Sequence, residues 1–572
     1  MTTVIRYGTR LEHLHEAVKL SPQGQTAVSV WINDDIRPLP PSRRTWSTMT
    51  FIGWWSVWQL SLTNWQLGGS LVASSLSVWQ TMVAVVLGRT IAAIVAILIG
   101  YIGAEWHIGF PPYSCHQTGA FFPTLLRIGL TVVGFAFQSY TGGLCLTAIL
   151  SGIFPTFFQM SNTLPASAHV TTQQIIGWAI FNIISIPVLY RRPERSEKLM
   201  IGMNIVSFAA LLGIMIWSLS HAHGAGDLIH QPSQLQTSES LGFGIMQGIT
   251  TVVGTLSIAL TSQMDFSRFA RKPSDQVFGQ WFTFIIIGSI MPLFGCLTSS
   301  ATQAIYGEAL WNPPTILAMW LQRDYSSTSR AAAVFAGIGL VSSQLALNVV
   351  DNGKSSPGKS AKSYSNCPVG YSVGMDLSGL LPKYINIRRG CYVGLILGMA
   401  LCPWELLASA TTFVSVISSF SIFMAPFCGI HISDYWFIRQ RRLKLSDLYH
   451  ARPEGIYFYT MGFNWRGVLP WLVGWVPLLP GFMHSINPAI EVSVGADHLY
   501  ALGFPYGLLS SMAIHTLVNK CFPPPGIGEI DLDDTYGTFT VEEAAKLGVN
   551  KDSTDSDRSL SRESREVIET KV

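Results

Sequence analysis

Gln138 lies in the run Gly134-Phe-Ala-Phe-Gln138-Ser-Tyr140-Thr-Gly-Gly143, inside an otherwise apolar stretch. A side-chain amide presents a donor beside an acceptor, the pair that grips the edge of a lactam or pyrimidine ring. Two residues on, Tyr140 offers a ring to stack and a hydroxyl to donate. A second polar group, Asn348, Asp351 and Asn352, follows the apolar run 337–347. Carboxylates inside a membrane are costly and usually functional, which makes Asp351 a candidate proton carrier or partner for a substrate cation; the competing reading is a charge at the watery end of a helix. Asp265 closes another apolar run just before Arg268 and Arg271, the pattern of a gate or an interfacial salt bridge rather than of a ligand contact. Ser418, Ser419, Phe420 and Ser421 could close over a cavity or simply pack. No His-rich box, Ser/His/Asp set or metal-ligand spacing accompanies these residues, and the eight cysteines are scattered without a C-x-x-C. The pattern fits recognition of a small molecule, with no enzyme, cofactor or metal expected.

These groups need elements that hold them at the middle of a bilayer. Of the 572 residues 49% are hydrophobic and only 12% charged, about half the charge of a soluble domain. Apolar runs of about 20 residues, the length that crosses a hydrocarbon core, alternate with short polar loops. The chain therefore reads as an all-α polytopic membrane protein, which sets aside soluble enzyme, secreted protein and nucleic-acid binder. Twelve spans are expected: 50–74, 79–104, 123–153, 171–190, 199–219, 241–264, 277–300, 331–353 (with a continuation at 371–380), 391–407, 409–431, 466–483 and 499–518. Lys and Arg cluster in alternate loops, and the loops at 154–170, 220–240 and 484–498 have none, which places both termini in the cytosol. Residues 1–49 form a polar lead-in, 50–521 the membrane domain and 522–572 a tail expected to be disordered apart from a short helical possibility at Val541–Leu547, of a composition that serves trafficking or turnover.

Two spans carry glycine interruptions at matching places. The first has Leu67-Gly68-Gly69-Ser70, and the sixth has Val253-Gly254-Thr255. Unwound backbone is tolerated in a membrane only where it lines a cavity or binds something. A matched pair in the first and sixth spans points to two inverted five-helix repeats with the substrate, and a coupling cation, between them. The alternative is that each glycine only allows close helix packing.

Several motifs then resemble a known group: Asn33-Asp-Asp-Ile-Arg-Pro38, Arg44-Thr-Trp46, Gly69-Ser-Leu-Val72 and Asp265-Phe-Ser-Arg-Phe-Ala270. Others are Leu381-Pro-Lys-Tyr-Ile-Asn-Ile-Arg-Arg-Gly390, Pro403-Trp404, Asp434-Tyr435-Trp436, Asn464-Trp465-Arg466 and Thr538-Phe-Thr-Val-Glu-Glu-Ala-Ala-Lys-Leu-Gly548. Together they resemble the nucleobase–cation symport family, in its fungal branch of uracil, uridine, allantoin, thiamine and nicotinamide riboside permeases. The resemblance implies a five-plus-five inverted repeat with two extra helices. It also implies inward symport at the plasma membrane, coupled in fungi normally to protons, with sodium as the other option. It makes Gln138 the family's third-helix glutamine and Asn352 its eighth-helix asparagine, in the pattern Asn-x-x-x-Asn with Asn348. Two departures stand out: Gly134 replaces the family's stacking tryptophan, and Thr255 or Leu256 its sixth-helix aromatic. An aromatic stack contributes about 0.5–1.5 kcal/mol beyond burial. Losing it while gaining room implies a larger or differently shaped substrate than uracil. Asp351 stands where the family has a small apolar residue, which opens the option of a cationic substrate such as thiamine or nicotinamide riboside.

Residues 354–370, with Lys354, Lys359, Lys362 and Pro357, interrupt what should be a continuous eighth helix. Deleting them joins Asn348-Val-Val-Asp-Asn-Gly353 to Tyr371-Ser-Val-Gly-Met-Asp376. Their codons can be written with splice-donor-like and acceptor-like strings in frame. The segment therefore reads as an unspliced intron, the alternative being a genuine polar loop.

Overall fold

The computed structural model describes residues 36–109, 122–190, 197–231, 238–348, 368–381, 383–449 and 453–551. The first span is two helices, α1 (Thr48–Gln59) and α2 (Leu62–Ser74). Next come α3 (Val78–Trp106), α4 (Phe122–Ile153), α5 (Thr172–Tyr190) and α6 (Glu197–His221). The sixth span is divided into α7 (Ser238–Gly254), α8 (Ser257–Thr261) and α9 (Gln263–Ser267). It is followed by α10 (Asp275–Tyr306), α11 (Pro313–Arg323), α12 (Ser327–Asn348), α13 (Pro368–Leu380), α14 (Ile387–Ala400) and α15 (Ala410–Ile438). The last are α16 (Trp465–Trp475), α17 (Leu479–Ile486), α18 (Val494–Ala501), α19 (Gly503–Cys521) and α20 (Val541–Leu547). No strand occurs among the described residues.

The starts follow local chemistry. Ser47 and Thr50 form a capping box at α1, and Ser77 with Gln80 does the same at α3. Among the described residues α3, α4, α10, α15 and residues 202–221 of α6 are each long and apolar enough to cross a bilayer, and α18–α19, bent by 80°, make a sixth candidate. Other apolar runs become broken or shorter helices.

Arg44, ahead of α1, meets Glu543 of α20 at 2.6 Å, so these two points of the chain share one face of the helix bundle. The same face holds Trp46, whose N–H donates to the Phe269 carbonyl, and Tyr449, whose hydroxyl donates to the Ile36 carbonyl.

On this face the first part of the tail departs from the expected disorder and carries the helix expected at Val541–Leu547, while 552–572 lie outside the described residues. Residues 523–551 dock there, with Phe539, Ala544 and Val549 buried and Phe539 edge-on to Trp106 at 5.8 Å. Composition missed this because a few apolar residues suffice when the rest of the surface is supplied by the membrane domain. The segment 354–370 lies mostly outside the described residues.

Candidate functional site

A cavity opens where the two interrupted spans face α4 and α15. Its walls are Trp58, Ser61, Thr63 and Asn64 from the first span; Gly134, Phe137 and Gln138 from α4; Thr255 and Ile258 from the sixth span; and Ile417 and Phe420 from α15. Gln138 donates from Nε2 to Thr63 Oγ1 at 2.6 Å, while its Oε1 is buried without a partner. Leaving a buried acceptor unsatisfied costs about 1–3 kcal/mol, which a ligand donor would recover.

The break in the first span is made by polar side chains. Ser61 occupies the N-cap position of α2, and Asn64 donates from Nδ2 to the carbonyls of Trp58 (2.9 Å) and Gln59 (3.2 Å), which α1 leaves open at its end. The Leu62 N–H donates to Ser343 Oγ of α12 at 3.3 Å. Arg89 of α3 donates to Gln59 Oε1 at 2.6 Å and to Asn64 Oδ1, bracketing both sides of the break. In the sixth span the break falls at Thr255 and Leu256. There Thr255 Oγ1 donates to the Val252 carbonyl (2.7 Å) and Ser257 Oγ to that of Val253 (3.1 Å).

Several expectations need correction. Gly68 and Gly69 do not interrupt the first span: α2 runs through them, and the break lies earlier, at Leu60 and Ser61. They are packing glycines, because a Cβ on Gly68 would come 2.1 Å from the Pro292 carbonyl oxygen and one on Gly69 3.0 Å from the Trp311 backbone. Neither reaches the cavity wall. Gly254 also packs, since a Cβ there would come 2.3 Å from the Ile417 carbonyl oxygen, and Thr255 alone of that pair lines the cavity.

Tyr140 points elsewhere, since residues two apart on a helix diverge by about 200°. Its hydroxyl donates to Gln174 Oε1 at 3.4 Å. Ser419 turns back to donate to the Val416 carbonyl at 2.6 Å, leaving Phe420 as the gate candidate on the wall. Asp265 is buried and in a salt bridge with Arg127 of α4 at 3.1 Å, where Asp376 of α13 also binds Arg127. Asp351 and Asn352 lie outside the described residues, as does the side chain of Asn348.

The wall residues absent from the sequence reading are Trp58, Ser61, Thr63, Asn64, Phe137, Ile258 and Ile417. The signal was available for some. Ser61-Leu-Thr-Asn64 is a polar knot in an apolar run, and Arg89 and Arg127 are intramembrane arginines. Trp58, Phe137 and Phe420 also supply aromatic surface despite the missing tryptophan at Gly134.

Membrane-length helices around a polar-rimmed cavity between two interrupted spans define a membrane transporter rather than an enzyme. The chain belongs to the family of permeases for cytosine/purines, uracil, thiamine and allantoin, whose model matches residues 38–507. It is similar to Transporter aclS of Aspergillus oryzae (strain ATCC 42149 / RIB 40), at 89% identity over all of both chains. It is also similar to Nicotinamide riboside transporter 1 of Saccharomyces cerevisiae (strain ATCC 204508 / S288c), at 28% identity over 93% of this chain and 86% of that one. The fold is shared with Mhp1, a nucleobase-cation-symport-1 family transporter solved in a closed conformation with bromovinylhydantoin bound. The TM-score is 0.61 at 19% identity, over 91% of this chain and 99% of Mhp1.

Proposed function

We propose that the protein imports a small nitrogen heterocycle across the plasma membrane by cation symport, with the proton as coupling ion. In this reading twelve spans carry the chain across and both ends face the cytosol. The sorting of Lys and Arg supports the orientation, and the Arg44–Glu543 contact supports the even count.

The observation that carries the reading is the Gln138 amide, with its acceptor unpartnered on a wall shared with Trp58, Phe137 and Phe420. The amide would pair with a ring N–H while the aromatics cover its faces. Trp58 and Phe420 would hold the ring as the cavity closes.

Counterflow in proteoliposomes, with uracil, uridine, allantoin, thiamine and nicotinamide riboside as competitors, tests it. Labelled ring compound should accumulate under a proton gradient, and Gln138→Leu should abolish the accumulation. Binding without counterflow would make the protein a sensor instead. A second reading, a carrier of cationic vitamins that uses Asp351, is favoured by the relative named as a nicotinamide riboside transporter. Thiamine uptake unchanged by Asp351→Asn would remove it.

A further inference from the structure

Arg89 sits near the middle of α3 and is completely buried. Three other buried arginines meet carboxylates: Arg44 with Glu543, Arg127 with Asp265 and Asp376, Arg439 with Asp434. Among the described residues Arg89 meets none. Its partners are the neutral amide oxygens of Gln59 and Asn64, and its Nε has no acceptor. Gly288 of α10 makes room for it, since a Cβ there would come 3.0 Å from Gln59 Oε1 and 3.4 Å from the Arg89 Cδ.

A guanidinium without a counter-ion inside a membrane protein is expensive, and such groups mark ligand or ion pathways. One side chain, Asn64, separates it from the cavity, because Asn64 binds Arg89 through Oδ1 and lines the wall. We propose that Arg89 is a specificity-determining residue: its fixed positive charge makes the cavity accept neutral or anionic heterocycles rich in N–H and C=O groups and reject cationic ones. The inference rests on the transport reading above and names its substrate class.

Coulomb's law at a separation on the order of 8 Å and an effective dielectric of about 20 gives roughly a 30-fold penalty against a univalent cation. An anionic ring gains by a similar factor. The Asn64 Nδ2 hydrogens are already taken by the Trp58 and Gln59 carbonyls, so Arg89 acts on the cavity through its charge.

The test measures thermal stabilisation and competitive uptake of the purified full chain, using uracil and allantoin (neutral), orotate (anionic), and thiamine and nicotinamide riboside (cationic). The wild type should favour the neutral and anionic rings over the cations by at least 10-fold. Arg89→Lys keeps the charge and should keep that ratio. Arg89→Gln should reduce it about 10-fold or more, whatever happens to the total rate, a change that simple loosening of the site would not produce. Cations bound by the wild type as well as uracil would overturn the proposal, and this needs no variant to fold. So would an Arg89→Gln protein that keeps the wild-type ratio. A chain stabilised by no ring compound of any charge would instead overturn the transport reading.

Discussion

The two interrupted spans solve the same problem by different means. At the sixth, Thr255 and Ser257 hydroxyls bond back to carbonyls of their own helix, so the break is held by its own segment. At the first, the open carbonyls and amides are taken up by Asn64 and by Ser343 of α12, with Arg89 of α3 holding Gln59 and Asn64. A self-held break can change shape without asking its neighbours. A cross-linked break moves only with the helices that hold it, so the break in the first span is wired into the bundle, whereas the sixth span's bonds to α15, Thr251 with Ser418 and Ser421 to the Thr250 carbonyl, lie on the turn before its break. In both, the glycines pack against a neighbouring backbone and the polar side chains make the break.

The largest test of that contrast is Gly68→Leu. Packing predicts that a side chain forced toward the Pro292 carbonyl costs about 3 kcal/mol or more, and most protein should be lost from the monodisperse peak in size-exclusion chromatography. A well-folded Gly68→Leu protein would revive the idea of an unwound stretch there. Next comes Asn64→Ala, which strips partners from two carbonyls and a buried guanidinium. The loss is about 1–3 kcal/mol, and uptake should fall roughly 10- to 100-fold. Its counterpart, Ser257→Ala, removes one local bond and should cost less than about 1 kcal/mol, with uptake within about twofold. Equal losses from the two would erase the distinction between wired and self-held breaks.

Gly134→Ala should fold normally, since its new methyl would meet only Ile258 Cδ1 at 3.6 Å. Gly134→Trp should shift competition toward the smallest rings without unfolding the protein.

The smallest effect belongs to the docked tail, remote from both breaks. Burial raises the Glu543 carboxyl, but hydrogen bonds from His107, the Thr540 N–H and Arg44 outweigh it and hold the group well below the usual carboxylate range. Docking therefore keeps this contribution at neutral pH and loses it as pH falls from about 4.5 through the lowered value. The protection factors of the amides at residues 539–549, with the intrinsic pH dependence of exchange divided out, should be highest near neutral pH and fall as pH drops below about 4.5. Protection that increases in acid would contradict the assignment.

Much of this was readable from the chain. Hydropathy marked the membrane-length helices α3, α4, α10 and α15, and Gln138, Gly134, Thr255 and Phe420 fall on one cavity wall. What failed did so for physical reasons. Glycine marks both unwinding and close approach, and only the partner helix tells them apart, as Pro292 does for Gly68. Tyr140 and Ser419 were chosen for being adjacent in sequence to polar residues, whereas a helix sends neighbours to different faces. Arg89 and Arg127 could be seen as intramembrane charges, but their neutral and acidic partners come from helices far away in the chain.

Arg44 and Glu543 are 499 residues apart. At about 5–20 residues per second the ribosome takes roughly 25–100 s to travel from one to the other. Throughout that time the Arg44 side chain and the site later covered by Phe539 stand open at the membrane surface. The contact closes only after translation has passed codon 543, which makes it a mark of finished synthesis: a prematurely terminated product inserts its helices but leaves Trp106 and His107 without their cover.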